Sequence, residues 1–222
     1  MYSLVKGLKY FAAGFCMALV VAIRSFSADG LTKVEGVIKH DAVWSGSVLV
    51  EGDVLVPAGV TLTIVPGTSV TFMPSDSTKI EPMFLSMQTE LLVRGRLVAE
   101  GVKDAPISFG PAIEALSGKK PERGDWGGII FDGPGSSTSV LSNANVSKAD
   151  TGVTVYAASP PVTDCTVEDC RYGVVSMGGG GARLSGTTVT GCEFGVVAAM
   201  GAQPSVSGSK IGKNEHDLLL RN

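Results

Sequence analysis

The fold is decided by a stretch that is written four times: LSNANVSKADTGV at residues 141–153, VTDCTVEDCRYGV at 162–174, LSGTTVTGCEFGV at 184–196 and VSGSKIGKNEHDL at 206–218. Successive copies begin 21, 22 and 22 residues apart. A fixed period in this range is typical of stacked-repeat proteins, in which each repeat packs on its neighbours along one axis. The sequence therefore predicts a solenoid and not a globular core.

Residues one period apart should stack at about 4.8 Å, which is the spacing of adjacent parallel strands. Three aliphatic columns result, and we expect them to be buried. Each fully buried side chain should contribute roughly 1.5 to 3 kcal/mol to stability. The columns are Leu141, Val162, Leu184 and Val206; Val146, Val167, Val189 and Ile211; and Val153, Val174, Val196 and Leu218.

The first half of the chain has the same alternation of short apolar runs and turn residues, but with less regular spacing. From residue 30 to 72, and again from 91 to 131, short runs rich in Val, Leu and Ile are separated by turn signals such as EGD, PAG and PGT. Short β-branched runs cut by Gly, Pro and Asp indicate strands and turns. We therefore expect one coil throughout residues 28–222.

Two segments interrupt this coil and are the predicted insertions. In residues 74–90, Ile80, Phe84 and Met87 fall, together with Leu91, on one face of a hypothetical helix packed against the stack. Residues 110–125 carry Lys and Arg around a proline and indicate a solvated loop.

The main rival is a leucine-rich repeat, whose consensus is partly met by Leu184, Val189, Cys192 and Phe194. That fold requires a convex side after each consensus. The residues there are GVVSMGGGGA and GVVAAMGAQPS, in which Gly, Pro and Val-Val pairs favour strands and turns. We therefore favour a coil made only of strands and turns.

Several motifs resemble the right-handed parallel β-helix proteins of the pectin-lyase-like superfamily, in particular its small exported bacterial members. The matching motifs are GDVLVPAG, LTIVPGTSVTF, LLVRGRLVAEG, PISF and WGGIIF, followed by the tandem copies with Cys or Asn before xxGV. The resemblance covers most of residues 36–220 and implies an all-β, single-domain parallel β-helix of about six to eight turns. That superfamily includes polysaccharide lyases, glycosidases, adhesins and periplasmic copper-delivery proteins, so the fold does not choose a function.

Residues 1–27 are predicted to be a signal peptide. Lys6 and Lys9 precede an apolar run at residues 10–23. The small residues Ser25 and Ser27 then stand at the expected cleavage positions, so cleavage is predicted near Ser27. An uncleaved anchor is the alternative, because Arg24 interrupts the expected pattern. Cleavage would leave 15 Lys and Arg against 21 Asp and Glu, so neither nucleic acid nor an anionic membrane is an expected partner. The expected location is periplasmic, cell-surface or secreted.

Cys170, Cys192 and Asn214 share one turn position with Ala149. The resemblance implies that such a position forms an inward ladder of Cys or Asn side chains. A disulfide between Cys170 and Cys192 is one interpretation, but parallel Cβ vectors make it awkward. We favour a stack of small buried thiols.

The charged residues mostly have an opposite charge one period away. Arg171 is aligned with Asp150 and Glu193, and Lys148 with Asp169, which predicts surface ion pairs between neighbouring strands. Glu193 and Glu215 are the exception, since two acids one turn apart resemble the pair of a retaining glycosidase. His216 is aligned with Tyr172 and Phe194 and should stack with them.

The weak catalytic candidates are therefore Glu193, Glu215, Asp169 and Arg171. A lyase would need clustered acids for Ca²⁺ and a base, and a polygalacturonase-type glycosidase would carry NTD, DD, GHG and RIK, which this sequence lacks. We expect no cofactor, with Ca²⁺ required only under the lyase hypothesis. Met83 and Met87 are weak candidates for a Cu(I) site, because soft thioethers suit that ion.

The function predicted from these observations is an exported, non-catalytic structural or binding module that recognises a polysaccharide or an envelope protein. The alternatives are a polysaccharide lyase or glycoside hydrolase, and a periplasmic copper-binding protein. The final copy ends in DLLLRN and offers no polar cap. An uncovered strand edge invites pairing, so we expect a partner or a second copy to stack there.

Overall fold

A computed structural model describes residues 30–74 and 87–221. Nearly all regular structure in these residues is strand. In chain order the strands are β1 (Leu31–Val37), β2 (Ala42–Trp44), β3 (Ser47–Val56), β4 (Thr61–Ile64), β5 (Ser69–Phe72), β6 (Glu90–Val93), β7 (Arg96–Glu100), β8 (Ile107–Pro111), β9 (Gly128–Asp132), β10 (Val140–Ser142), β11 (Ala144–Ser147), β12 (Thr151–Tyr156), β13 (Pro161–Thr163), β14 (Thr166–Glu168), β15 (Tyr172–Met177), β16 (Arg183–Ser185), β17 (Thr188–Thr190), β18 (Phe194–Ala199), β19 (Ser205–Ser207), β20 (Lys210–Ile211) and β21 (His216–Arg221). A short helix α1 (Ile113–Ser117) and a 3-10 helix (Pro134–Thr138) complete the elements.

The strands wind into a coil with three faces. Face 1 is a 7-stranded sheet in the order β19-β16-β13-β10-β7-β4-β2. Face 2 contains β5, β8, β11, β14, β17 and β20, and face 3 contains β6, β9, β12, β15, β18 and β21; the long strand β3 bends across the corner and joins them into a 14-stranded sheet, with β1 paired to β3. Every ladder between these strands is parallel, so the predicted parallel β-helix is confirmed.

The three predicted aliphatic columns are in register. Leu141 pairs with Val162, Val146 with Val167, and Val153 with Val174; the later coils continue each column. The members from the first three copies are buried in one continuous hydrophobic core. Axial stacking of like residues therefore supplies the core, as the period predicts.

The fourth copy is different, because its inward positions are exposed within the described residues. Val206 is 55% exposed, Leu218 60% and Leu220 68%. They occupy the columns of Leu184, Val196 and Ala198, which are buried beneath them. Stacking of a partner or a second copy on this coil remains a prediction.

Face 3 carries aliphatic side chains on its outer side as well. Strand alternation turns every second residue outward, and the outward column of face 3 consists of Leu55, Leu92, Ile130, Thr154, Val175, Val197 and Leu219. Leu55, Leu92 and Ile130 form a hydrophobic cluster separate from the core. The outer side of face 3 therefore offers few hydrogen-bonding groups.

The predicted helix at residues 74–90 lies mostly outside the described residues, but its proposed apolar face is wrong at Leu91. That residue is buried in β6, where it pairs with Val54 and Ile129, so the strand ladder overrides the helical spacing. Met87 is 74% exposed and does not pack against the stack. The second insertion, at residues 110–125, is largely exposed and contains α1, which the sequence did not indicate.

Glycine at the start of the face 3 strands is required by close packing. A Cβ atom on Gly173 would lie 2.5 Å from the Gly195 carbonyl oxygen and 2.5 Å from Val189 Cγ1. Gly152 has the same surroundings one coil earlier, with contacts at 2.6 and 2.7 Å. The recurring Gly before Val in the first three copies therefore allows the backbone to lie directly against a core valine and the next coil where the face 3 strand begins.

Replacing Val162 and Val206 separately with alanine tests the stacking of the first column. The two residues hold equivalent positions, but Val162 is completely buried and Val206 is 55% exposed. Val162→Ala should cost about 2 kcal/mol in the free energy of unfolding, and Val206→Ala well under half of that, because only the first leaves a cavity. Urea unfolding measures both. Equal losses would contradict the burial of this column.

Candidate functional site

The charged candidates from the sequence lie along one edge of the coil, where face 2 turns into face 3. We call this edge the ladder corner and define it as residues 148–150, 169–171, 191–193 and 213–215 of four successive coils. The middle residue of each triplet points inward, and the flanking residues carry the charges. The corner thus has a buried inner column and a charged outer surface.

The inner column of the ladder corner consists of Ala149, Cys170, Cys192 and Asn214. Both cysteines are free thiols and are completely buried. Asn214 Oδ1 accepts a hydrogen bond from the Cys192 backbone N–H at 2.9 Å, and its Nδ2 donates to the Val189 carbonyl at 3.1 Å. The amide therefore satisfies backbone groups that a turn would otherwise leave unpaired.

A second inward column lies at the corner between faces 1 and 2, and the sequence analysis did not identify it. Its members are Ala144, Cys165, Thr187 and Ser209. The Cys165 N–H donates to Thr187 Oγ1 at 3.3 Å, and the Thr187 N–H donates to Ser209 Oγ at 3.1 Å. The signal was present, because a small residue stands three places after the first aliphatic position of every copy.

Cross-coil ion pairs cover the outside of the ladder corner. Lys148 Nζ lies 2.7 Å from Asp169 Oδ2. Arg171 lies 3.4 Å from Asp150 Oδ1 and 3.7 Å from Glu193 Oε2. These are the partners that the sequence alignment of copies predicts, and exposed pairs of this kind contribute roughly 0 to 1 kcal/mol each.

Glu193 and Glu215 do not act as an isolated pair of acids, because each contacts a different arginine. Arg123 Nη1 lies 2.8 Å from Glu215 Oε1, and Arg123 Nη2 donates to the Gly191 carbonyl at 2.7 Å. This hydrogen bond to Glu215 raises the pKa of Arg123 further. Arg123 belongs to the second insertion, so this insertion reaches along the ladder corner and contacts the fourth coil after it.

Aromatic rings stack beside the corner in the predicted order. The ring centroids of Tyr172 and Phe194 are 5.1 Å apart, and those of Phe194 and His216 are 5.0 Å apart. The guanidinium carbon of Arg171 lies 5.3 Å from the centroid of the Tyr172 ring. The faces of these rings are therefore largely used by one another and by Arg171.

Face 2 carries a different surface, which we call the polar column. It contains one outward polar side chain in each coil, in register with the next: Ser47, Ser69, Ser108, Asn145, Thr166, Thr188 and Lys210. In the described part of the chain, none of these seven side chains makes a hydrogen bond to another protein group. Their donors and acceptors are therefore available to solvent or to a ligand.

Residues 122–221 match the family model described as a right handed beta helix region. The match agrees with the parallel strand ladders of these residues, which form a β-helix. The β-helix continues through the earlier coils in the same two sheets. The chain has no significant match among curated proteins or among solved structures.

Sequence reasoning also missed acidic residues of the β-helix at the start of face 3. Asp53 and Glu90 are both buried, and Asp53 Oδ1 accepts a hydrogen bond from the Glu90 backbone N–H at 3.0 Å. Farther along this face Arg94 Nε lies 2.7 Å from Asp132 Oδ2. Their sequence spacing is irregular because the first insertion separates Asp53 from Glu90, so no period marks them.

The described residues contain no observation that supports the proposed methionine site for Cu(I) or a membrane-spanning helix. Met83 lies outside them, so the proposed methionine pair cannot be placed. Among residues 30–74 and 87–221 no group of three His, Cys, Asp or Glu side chains has a geometry that could hold a metal ion. No helix in the same residues has the length and apolar character needed to cross a bilayer.

The three thiols of the β-helix differ in their tendency to ionise. Burial raises the pKa of Cys165 to about 11. The neighbouring Cys192 side chain and burial both raise the pKa of Cys170, and the Cys170 side chain lowers the pKa of Cys192. Arg123 also lowers the pKa of Cys192, so the second insertion acts on the inner column as well as on the surface.

Arg123→Gln tests whether the second insertion fastens the last coil. Loss of the Glu215 contact should accelerate amide hydrogen exchange in β21 roughly two- to fivefold, because an exposed ion pair is worth about 0.3 to 1 kcal/mol. The difference should shrink in high salt. Arg183→Gln is the control, since Arg183 lies exposed on face 1 and forms no ion pair in the described residues. Equal exchange in both variants would contradict the clamp.

Cys165→Ala tests the consequence of the raised pKa of Cys165. The thiol of the unfolded chain ionises from about pH 9, whereas the folded chain holds this proton to about pH 11. Its contribution to stability is therefore complete below pH 9 and is lost as the pH rises toward 11, by roughly 2 to 3 kcal/mol. The alanine variant should lack this loss, and Ala144 already fills the same ladder position one coil earlier. Parallel pH profiles of unfolding free energy for the two proteins would refute the assignment.

Proposed function

We propose that this chain is an exported, non-catalytic β-helix module that binds a polysaccharide along face 2. The polar column carries the proposal. It presents one hydroxyl, amide or ammonium group per coil in a straight line from Ser47 to Lys210, and the described structure uses none of these groups internally. Export is supported by the predicted leader at residues 1–27.

The chemistry of the polar column suits sugar hydroxyl groups. Hydroxyl and amide side chains both donate and accept hydrogen bonds, as sugar hydroxyls do. The column repeats at about 4.8 Å, close to the length of one extended sugar unit. A polysaccharide lying parallel to the coil axis could therefore meet one protein group per sugar over several coils.

The charge of the chain favours a neutral polysaccharide over a polyanion. Acidic residues outnumber basic ones, 21 against 18, and the predicted cleavage would increase the difference. On face 2 itself Glu168 neighbours the polar column, and Lys210 is the basic residue at one end of it. The net negative charge of the chain disfavours the approach of a polyanion, whereas a neutral polysaccharide meets no such repulsion.

The outer side of face 3 is less suitable, because its outward column is almost entirely aliphatic. The ladder corner is also less suitable, since the charges of Asp169, Arg171, Glu193 and Glu215 are engaged in ion pairs. These engaged side chains support a non-catalytic role over the alternative of a polysaccharide lyase or glycoside hydrolase, which needs free acids and bases.

Substitution of Thr166 and Thr188 together with valine tests the proposal. Valine keeps the shape and strand preference of threonine but removes the hydroxyl group. Loss of two hydrogen bonds, each worth about 1 kcal/mol, should weaken binding to the best ligand of a polysaccharide panel by about tenfold or more. The matched control is Thr63→Val with Thr163→Val, which removes two outward hydroxyls from face 1 and should leave the affinity unchanged.

The same panel distinguishes the alternatives. Absence of binding to any polysaccharide, or equal loss in both double variants, would contradict the role of face 2. Depolymerisation of an acidic polysaccharide that disappears in Glu193→Gln or Asp169→Asn would instead establish an enzyme at the ladder corner.

A further inference from the structure

The two thiols of the ladder corner form an unusual arrangement, because they are stacked directly in consecutive coils. The register of β15 with β18 aligns Tyr172 with Phe194 and therefore Cys170 with Cys192. The Glu193 N–H donates to the Cys170 carbonyl at 3.3 Å, which holds the two turns one above the other. Both sulfur atoms are buried in the same column, between Ala149 and Asn214.

The spacing of this stack decides what the two sulfur atoms can share. Side chains in equivalent positions of adjacent coils lie about 4.8 Å apart. A disulfide requires the sulfurs to approach to about 2.05 Å, with Cβ atoms about 3.8 Å apart. A metal ion between two thiolates requires two bonds of roughly 2.3 Å, hence a sulfur separation of about 4.6 Å. An ion could therefore bridge the two sulfur atoms with little movement of the coils, whereas a disulfide would require the two turns to move closer together.

We propose that Cys170 and Cys192 form a two-coordinate site for one soft monovalent cation, of the class to which Cu(I) and Ag(I) belong. Thiolate ligands select soft ions. Zinc is a poor fit because it requires four ligands, and no third metal ligand joins the pair in the described residues. Cys165 lies at the other corner, in a different column, and is not part of the site.

The charges at the corner are compatible with an occupied site. The Cys170 thiol donates a hydrogen bond to the Glu168 carbonyl at 3.4 Å, and the Cys192 thiol donates one to the Thr190 carbonyl at 3.5 Å. Binding one monovalent cation releases both thiol protons and leaves one net negative charge on the pair. The guanidinium group of Arg123, held at the carbonyl of Gly191 next to Cys192, places a positive charge beside it.

The site is also close to solvent on one side of the coil. Asn214 is the next side chain of this column beyond Cys192 in the described chain, and it is only half-buried. Movement of this one amide would open a path to the sulfur atoms. The inference is independent of polysaccharide binding, because it uses the inner column and not face 2.

Native mass spectrometry of the reduced, full chain with Ag(I) tests the site, with Cu(I) under anaerobic conditions as a second probe. The wild type and Cys165→Ala should each bind one ion, whereas Cys192→Ala and Cys170→Ala should lose that ion or bind it at least a hundredfold more weakly. Alanine is tolerated at this ladder position, as Ala149 shows. Zn(II) should not bind at the pair.

Three results would overturn the proposal. The first is a wild-type chain that binds no ion. The second is loss of the ion in Cys165→Ala but not in Cys192→Ala. The third is a thiol count of two instead of four in the denatured, unreduced full chain, which also contains Cys16, because that count would mean that Cys170 and Cys192 are joined as a disulfide. Circular dichroism of each variant checks that the β-helix is retained.

Discussion

Axial pairing of parallel strands is the constraint on which the rest of this structure depends. Each strand hydrogen-bonds to the strand one coil before and one coil after it, so in the four regular copies a residue's partners are 21 or 22 positions away along the chain. Columns of like residues follow directly from this geometry. Aliphatic columns fill the core, small residues fill the corners, and charged residues must find an opposite charge one coil away or repel their neighbours.

This constraint explains which parts of the molecule the sequence could predict. The period of the four copies was enough to predict that Leu141 pairs with Val162 and that Arg171 lies between Asp150 and Glu193, because residues one period apart are paired in adjacent coils. The polar column was equally available, since Thr166 and Thr188 stand beside inward valines. The sequence does not mark these residues as a site, because hydroxyl side chains are ordinary on the outer side of a strand, and only the structure shows that they have no hydrogen-bond partner among the described residues.

Other features could not be predicted from the period. Arg123 meets Glu215 across 92 residues of sequence, and nothing in the spacing of an insertion indicates which coil it returns to. Leu91 fits a helical pattern in the sequence, yet the neighbouring strands β3 and β9 draw it into a sheet. In both cases tertiary contacts between distant segments decide the outcome, and local sequence carries no record of them.

The constant register also has an evolutionary consequence. Adding or removing one residue inside a strand would turn every later side chain of that strand to the opposite side and would therefore expose part of the core. Adding a whole copy of about 22 residues preserves every column, and so does lengthening the connections between face 2 and face 3, where both insertions stand. Such a chain can therefore grow by duplication of complete coils, which lengthens its three faces, and by longer connections at a corner, which add loops beside them.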